Sequence, residues 1–96
     1  KHNRKRRRVH ADFYKMTYIA TFYSHFGAIR YKKLCEKDNQ NAQIMPVPRD
    51  LSSSCGTCVR YDGELILPDS ACQEEVEQIV EITDQGYRTV YRAEES

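Results

Sequence analysis

The chain has 96 residues, of which 40% are hydrophobic and 30% are charged, a composition ordinary for one globular domain. No apolar run approaches the roughly 20 residues that a membrane-spanning helix requires, so we expect no association with a membrane. The basic start lacks the apolar segment of a secretory signal. We therefore expect a cytoplasmic protein whose four cysteines are reduced.

Charge is distributed unevenly along the chain. Residues 1–15 hold seven Lys or Arg and one Asp, a net charge of +6, whereas residues 16–96 hold eight Lys or Arg and thirteen Asp or Glu, a net charge of −5. This contrast predicts a basic, flexible tail over 1–15 attached to a folded domain over 16–96. The tail could contact phosphates, but no stacking aromatic motif accompanies it, so we do not favour a nucleic-acid partner.

The first predicted elements are a strand and a helix. Residues 17–23 are rich in β-branched and aromatic side chains and carry almost no charge, which predicts a buried central strand. Ser24 can cap a helix from His25 to about Asp38. His25 is a candidate ligand-facing residue, although a histidine at a helix start is more often on the surface. Four side chains recur at helical spacing and should face the sheet: Ala28, Tyr31, Leu34 and Cys35.

The second half predicts further strands around another helix. Residues 42–47 form a strand that Pro46 confines to an edge, residues 57–61 form the next strand, and residues 64–67 form a short strand or a packed loop. A capped helix is predicted from Asp69 or Ser70 to a C-capping Gly86, followed by a strand over 87–92. The inner stripe of this helix is Cys72, Val76, Ile79, Val80 and Thr83, and its solvent face is Gln73, Glu74, Glu75, Glu77, Gln78 and Glu81.

The order β-α-β-β-α-β predicts a fold of the α+β class. It matches the ferredoxin-like arrangement, in which a four-stranded antiparallel sheet carries two helices on one face. In that arrangement, the loop between the second and third strands lies at one end of the sheet.

That loop contains the most distinctive residues of the chain. Two prolines stiffen its start, three serines follow, and Cys55 stands directly before Gly56, which can adopt a positive φ. Such a loop is suited to presenting a thiol. The charge of Arg49, the hydroxyls of Ser52–Ser54 and the amide of Gly56 could lower the pKa of that thiol, because each favours the thiolate.

Three segments carry a resemblance to a known family: residues 21–24, which read TFYS, residues 44–56, which read IMPVPRDLSSSCG, and residues 59–61, which read VRY. Together they resemble the selenium/sulfur carrier-like family of small bacterial domains, over roughly residues 16–92. The residues that match its motif are Pro48, Arg49, Ser53, Ser54, Cys55 and Gly56, whereas Cys58 departs from the commoner members.

The resemblance implies that Cys55 is a carrier thiol for sulfur or selenium, with Cys58 resolving or assisting. Some relatives follow a SirA-like sulfur-carrier domain in one chain. The implied partners are therefore a cysteine desulfurase or a SirA-like carrier, and a homodimer is also open.

Other functions remain open from the residues alone. Cys55 and Cys58 form a C-x-x-C pair that could cycle between dithiol and disulfide, although a strand pattern follows it where thioredoxin-like motifs have a helix. A closed zinc site needs four ligands, so we expect no metal and no other cofactor unless two chains share a site. A non-catalytic binding or regulatory module is a further alternative, and whether the protein is an enzyme stays open.

Overall fold

The computed structural model describes residues 16–70 and 72–93. The predicted basic tail over 1–15 lies outside the described residues. In chain order the elements are β1 (Met16–Phe22), α1 (His25–Lys37), β2 (Ala42–Pro46), β3 (Thr57–Gly63), a single 3₁₀ turn (Gln73–Glu75), β4 (Val76–Thr83) and β5 (Gly86–Arg92).

The strands form one antiparallel sheet in the order β2-β3-β1-β4-β5. The prediction that the first strand is central is confirmed, since β1 lies in the middle and is buried from Tyr18 to Phe22. The edge position predicted for the second strand is also confirmed, because β2 pairs only with β3 among the described residues. Pro46 can end β2 there because an edge strand does not need every backbone donor.

Helix α1 packs on one face of the sheet. Ser24 caps it by accepting a hydrogen bond from the Gly27 amide, and Ala28, Tyr31 and Cys35 are fully buried beneath it. A Cβ at Gly27 would lie 2.7 Å from the Cβ of Glu75, so only glycine allows the helix to approach the 3₁₀ turn this closely. The predicted helix and its inner face are confirmed.

The predicted second helix over 69–86 is wrong. The described part of that segment forms the 3₁₀ turn and then strand β4, which pairs with both β1 and β5. The ferredoxin-like arrangement is wrong for the same reason: the described residues form five strands and one helix, although the α+β class is correct. Gly86 follows the two-residue turn between β4 and β5, with φ of +122°, and does not cap a helix.

Composition explains why residues 76–83 form a strand. Val, Ile and Thr make up five of these eight residues, and β-branched side chains favour extended backbone. Strand β4 contributes Val76 and Ile79 to one apolar cluster of the sheet and Val80 to the other, so it is covered on both faces. Gln78 and Glu81, predicted to face water, are 8% and 5% exposed. Cys72, Val76, Ile79 and Val80 are buried as predicted, but not by helical packing.

The two faces of the sheet hold separate apolar clusters. The larger cluster lies between the sheet and α1 and includes Phe22, Tyr31 and Tyr61. The smaller contains Ile19, Cys58 and Val80 and is covered by Val47 and Leu51 from the loop that joins β2 to β3. We call residues 47–56 the thiol loop. Its first half therefore covers the face of the sheet that carries no helix.

Candidate functional site

The ends of the thiol loop are held together by backbone hydrogen bonds. The amide of Val47 donates to the carbonyl of Gly56 at 3.1 Å, and within the loop the amide of Leu51 donates to the carbonyl of Pro48 at 3.0 Å. Gly56 has φ of +78°, a conformation that glycine adopts without steric cost, and its amide donates to Ser53 Oγ at 3.3 Å. Pro48, Ser53 and Gly56 therefore shape the loop by local contacts.

Side chains from β4 and β5 anchor the first half of the loop to the sheet. Gln78 donates through Nε2 to the carbonyl of Ser52 at 3.3 Å, and the Tyr87 hydroxyl donates to Asp50 Oδ1 at 2.9 Å. Together with the apolar contacts of Val47 and Leu51, these bonds keep the segment against the sheet.

Cys55 lies at the other end of the loop and is partly buried, packed against the cluster under α1. Its thiol donates weakly to the carbonyl of Thr57 at 3.6 Å. The other three cysteines are 0–2% exposed. Burial raises the pKa of the Cys35 thiol to about 12 and of the Cys58 thiol to about 11, and it also raises the pKa of Cys72. Cys55 is therefore the one cysteine of the four that is not buried.

Cys58 belongs to the opposite face of the sheet. It is fully buried with Ile19 and Val80, and its thiol donates to the carbonyl of Pro46 at 3.7 Å. Burial is the larger cause of its raised pKa, and the nearby Cys55 adds to it. All four cysteines are free thiols. The C-x-x-C spacing thus directs its two sulfurs to different clusters.

Ser54, directly before Cys55, is held by a carboxylate from β4. Its amide donates to Glu77 Oε1 at 3.1 Å and its hydroxyl donates to Oε2 at 2.9 Å. Thr21 of β1 donates to the same Oε1 at 3.2 Å. The serine donors proposed to favour the thiolate are therefore directed to Glu77 at this position.

Arg49, expected to supply positive charge near the thiol, is exposed and has no hydrogen bond or ion pair with any residue that the structure describes. Its role in the site stays a prediction. A side chain of α1 contacts the end of the loop: Nδ1 of His25 lies 2.8 Å from Thr57 Oγ1. The same Thr57 accepts the thiol hydrogen bond of Cys55 through its carbonyl. His25, a candidate from its position alone, therefore lies beside the loop.

The residues that sequence reasoning missed are the anchors Glu77, Gln78 and Tyr87. The sequence pattern predicts that Glu77 and Gln78 lie on the solvent face of a helix, whereas the structure places both residues in β4. A signal for their true position was available in the β-branched run around them. No local signal identifies Tyr87 as a partner of Asp50, because the two residues meet only through the sheet order.

In the part of the chain that the structure describes, no three His, Cys, Asp or Glu side chains are grouped in a way that could hold a metal ion. The one helix of that part, α1, is too short and too polar to cross a membrane.

Fold and site together define a small α+β domain that displays one accessible cysteine on a loop braced by the sheet. A family model described as "Putative Se/S carrier protein-like" matches residues 17–92. The chain belongs to that family. No curated protein and no solved structure gives a significant match.

Proposed function

We propose that the protein carries sulfur or selenium on the thiol of Cys55. The observation that carries the proposal is the contrast among the four cysteines: Cys55 is partly exposed on an anchored loop, and the other three are buried with raised pKa values. The family to which the chain belongs is named for such a carrier. A carrier needs one accessible thiol, and buried thiols avoid competing for the cargo.

The loading step is an exchange between two thiols. The Cys55 thiolate attacks the terminal sulfur of a persulfide on the donor, the sulfur–sulfur bond of the donor breaks, and the donor leaves as a thiolate. Cys55 then holds the terminal sulfur as a persulfide. No net oxidation occurs, because the sulfane sulfur moves from one thiol to another. Delivery repeats the exchange in the opposite direction, with a nucleophile of the acceptor attacking the terminal sulfur. Selenium would follow the same steps as a selenopersulfide.

The surroundings of Cys55 suit this role. The sulfur packs on one side against the cluster under α1, which shields part of a persulfide from water and from reductants. The loop is fixed on both sides of the cysteine, by Glu77 at Ser54 and by His25 at Thr57. A fixed loop reduces the entropy lost when a partner docks.

A dithiol–disulfide cycle between Cys55 and Cys58 is less well supported. Cys58 is fully buried in the cluster opposite to that of Cys55, and β3 follows the pair where a pKa-lowering helix would be needed. We therefore assign no resolving role to Cys58 in the resting fold.

The donor that we propose is a cysteine desulfurase or a SirA-like sulfur carrier, acting in the cytoplasm. Both hold sulfur as a protein persulfide, which is the chemical form that the loading step requires. A regulatory or purely binding role would not require an accessible thiol, and the presence of one favours the carrier.

The test is intact-mass analysis after incubation with a cysteine desulfurase and L-cysteine. The wild-type chain is expected to gain the mass of one sulfur atom, removed again by dithiothreitol, and peptide mapping should place it on Cys55. The Cys55→Ser variant should gain none, whereas Cys72→Ala, which changes a buried cysteine, should load like wild type. Loading of Cys55→Ser to the wild-type level would refute the proposal.

A further inference from the structure

Glu77 is the extra residue of a β-bulge. Thr21 of β1 pairs with Gln78 and Phe22 pairs with Val76, so Glu77 between them has no partner in the ladder. In a regular strand, consecutive side chains point to opposite faces. At a bulge this alternation is broken, and both Glu77 and Gln78 reach the thiol loop, at Ser54 and Ser52.

The bulge is itself fixed by its neighbours. Thr21, which is fully buried, donates to Glu77 Oε1. The main-chain carbonyl of Glu77 accepts from the amide of Ala93 at 3.0 Å. Thr21 thus holds the carboxylate and Ala93 holds the backbone of Glu77, so contacts outside the loop position the two acceptors that Ser54 uses.

The contact to the loop involves both a backbone and a side-chain donor of Ser54. The amide bonds to one carboxylate oxygen and the hydroxyl bonds to the other, so the position and the rotation of the residue before Cys55 are both constrained. Hydrogen bonds to a carboxylate are about twice as strong as those between neutral groups.

From these contacts we infer that Glu77 is a positioning residue for the Cys55 thiol, acting through Ser54. The inference rests on the proposed carrier function for its purpose, but the geometry that it describes does not depend on sulfur loading. Both carboxylate oxygens of Glu77 accept hydrogen bonds from Ser54 or Thr21. The chemical role that we assign is to hold the loop so that the sulfur stays in its partly buried position.

Two substitutions separate positioning from charge. Glu77→Ala removes both acceptors. Glu77→Gln keeps an oxygen for the Ser54 amide and offers an amide N–H to the Ser54 hydroxyl, so it preserves the geometry without the negative charge. Glu74→Ala is the matched control, because Glu74 is an exposed carboxylate of the preceding 3₁₀ turn.

Three measurements test the inference under conditions in which every variant is folded: amide exchange at Ser54, alkylation of Cys55 and sulfur loading. In Glu77→Ala we expect amide exchange at Ser54 and alkylation of Cys55 by iodoacetamide to be faster, each by about tenfold, because both hydrogen bonds that Ser54 makes to Glu77 are lost. Loading by a desulfurase should be slower by a similar factor, because the sulfur is misplaced. Glu77→Gln should restore all three, and Glu74→Ala should match wild type.

The outcomes distinguish this inference from the proposed function. Unchanged Ser54 exchange and Cys55 alkylation in Glu77→Ala would overturn the positioning role. A Glu77→Gln variant as impaired as Glu77→Ala would also overturn it, because the effect would then depend on the negative charge of Glu77 and not on its hydrogen bonds. If wild type fails to load sulfur while exchange and alkylation behave as expected, the carrier function is refuted and the positioning role stands.

Discussion

The imidazole of His25 is hydrogen bonded to the hydroxyl of Thr57, with 2.8 Å between Nδ1 and Oγ1. This contact joins the first turn of α1 to the first residue of β3, which directly follows the thiol loop. Because Thr57 also accepts the hydrogen bond of the Cys55 thiol, loss of the imidazole should loosen the sulfur. We expect His25→Ala to accelerate alkylation of Cys55 severalfold, consistent with the roughly 1 kcal/mol that one such bond contributes.

His25→Asn should restore the wild-type alkylation rate, since an asparagine side chain can place a polar atom near the position of Nδ1. Lys33→Ala is a suitable control, because Lys33 is an exposed residue of the same helix. An alkylation rate in His25→Ala equal to that of Lys33→Ala would show that the contact does not hold the loop.

The burial of Cys58 leads to a prediction about the C-x-x-C pair. Cys58→Ala should keep the sulfur loading of wild type, because the sulfur of Cys58 contributes packing and not chemistry in this fold. It should lower the free energy of unfolding by about 1–2 kcal/mol through the cavity that it leaves among Ile19 and Val80. Intact mass after desulfurase treatment and urea unfolding provide the two measurements.

Cys72→Ala is the matched control for Cys58→Ala, since Cys72 is an equally buried cysteine that lies in the other cluster. Loss of loading in Cys58→Ala but not in Cys72→Ala, at similar stability, would establish a chemical role for Cys58 and revive the dithiol alternative.

The buried thiols also predict how stability depends on pH. A thiol in an unfolded chain has a pKa of about 8.5, whereas burial raises the pKa of Cys35 to about 12 and of Cys58 to about 11. Above pH 8.5 the unfolded state therefore loses protons that the folded state keeps. The stabilisation is complete below that pH and is lost as pH rises, with a limiting slope of about 1.4 kcal/mol per pH unit for each thiol.

Urea unfolding between pH 7 and pH 9 measures this effect below the ordinary tyrosine pKa of about 10, where the tyrosines contribute little. The free energy of unfolding should fall over this range in wild type. It should fall less steeply in a Cys35→Ala, Cys58→Ala double variant, in which two of the titrating thiols are absent. An equal slope in both proteins would contradict the assignment to these thiols.

Much of the fold could be predicted because its signals are local. Ser24 and the apolar spacing that follows it define α1, and β-branched and aromatic residues define β1. The spacing of Val76, Ile79 and Val80 predicts a helix over residues 76–83, which form strand β4 in the structure. In the structure, β4 is buried on both faces, so its apolar residues need not alternate with polar ones. The alternation is further disturbed where the strand pairing is irregular, at Thr21–Phe22 and at Ile79–Val80.

The candidate site was predictable only in part for the same reason. Cys55 and Gly56 are identifiable from their own sequence, because the need for a positive φ beside a displayed thiol is a local property. The partners of the loop are not local: Glu77 and Tyr87 contact it only because β4 and β5 lie on the far side of β1. Because the sequence predicts a helix where β4 lies, the predicted site lacks the β4 side chains that hold the loop.

The last prediction concerns Tyr31 and Tyr61, whose hydroxyls lie 2.8 Å apart in the core. The Tyr31 hydroxyl also donates to the carbonyl of Ile66, and the Ile66 amide donates to the Tyr61 hydroxyl at 3.2 Å. Residues 64–67 are thus a packed loop, one of the two alternatives that the sequence left open. Burial raises the pKa of Tyr31 and raises that of Tyr61 to about 12, so both hydroxyls are protonated at neutral pH.

Tyr31→Phe should lower the free energy of unfolding in urea by about 1–3 kcal/mol, because it leaves the buried carbonyl of Ile66 without a donor. Tyr23→Phe, at a residue that is 49% exposed, should change it by less than about 0.5 kcal/mol. The double variant Tyr31→Phe, Tyr61→Phe should lower the free energy of unfolding by less than the sum of the two single changes. Each single change already removes the hydrogen bond between the two hydroxyls, so the sum counts its loss twice. Equal effects of Tyr31→Phe and Tyr23→Phe would show that the tyrosine pair does not hold the 64–67 loop.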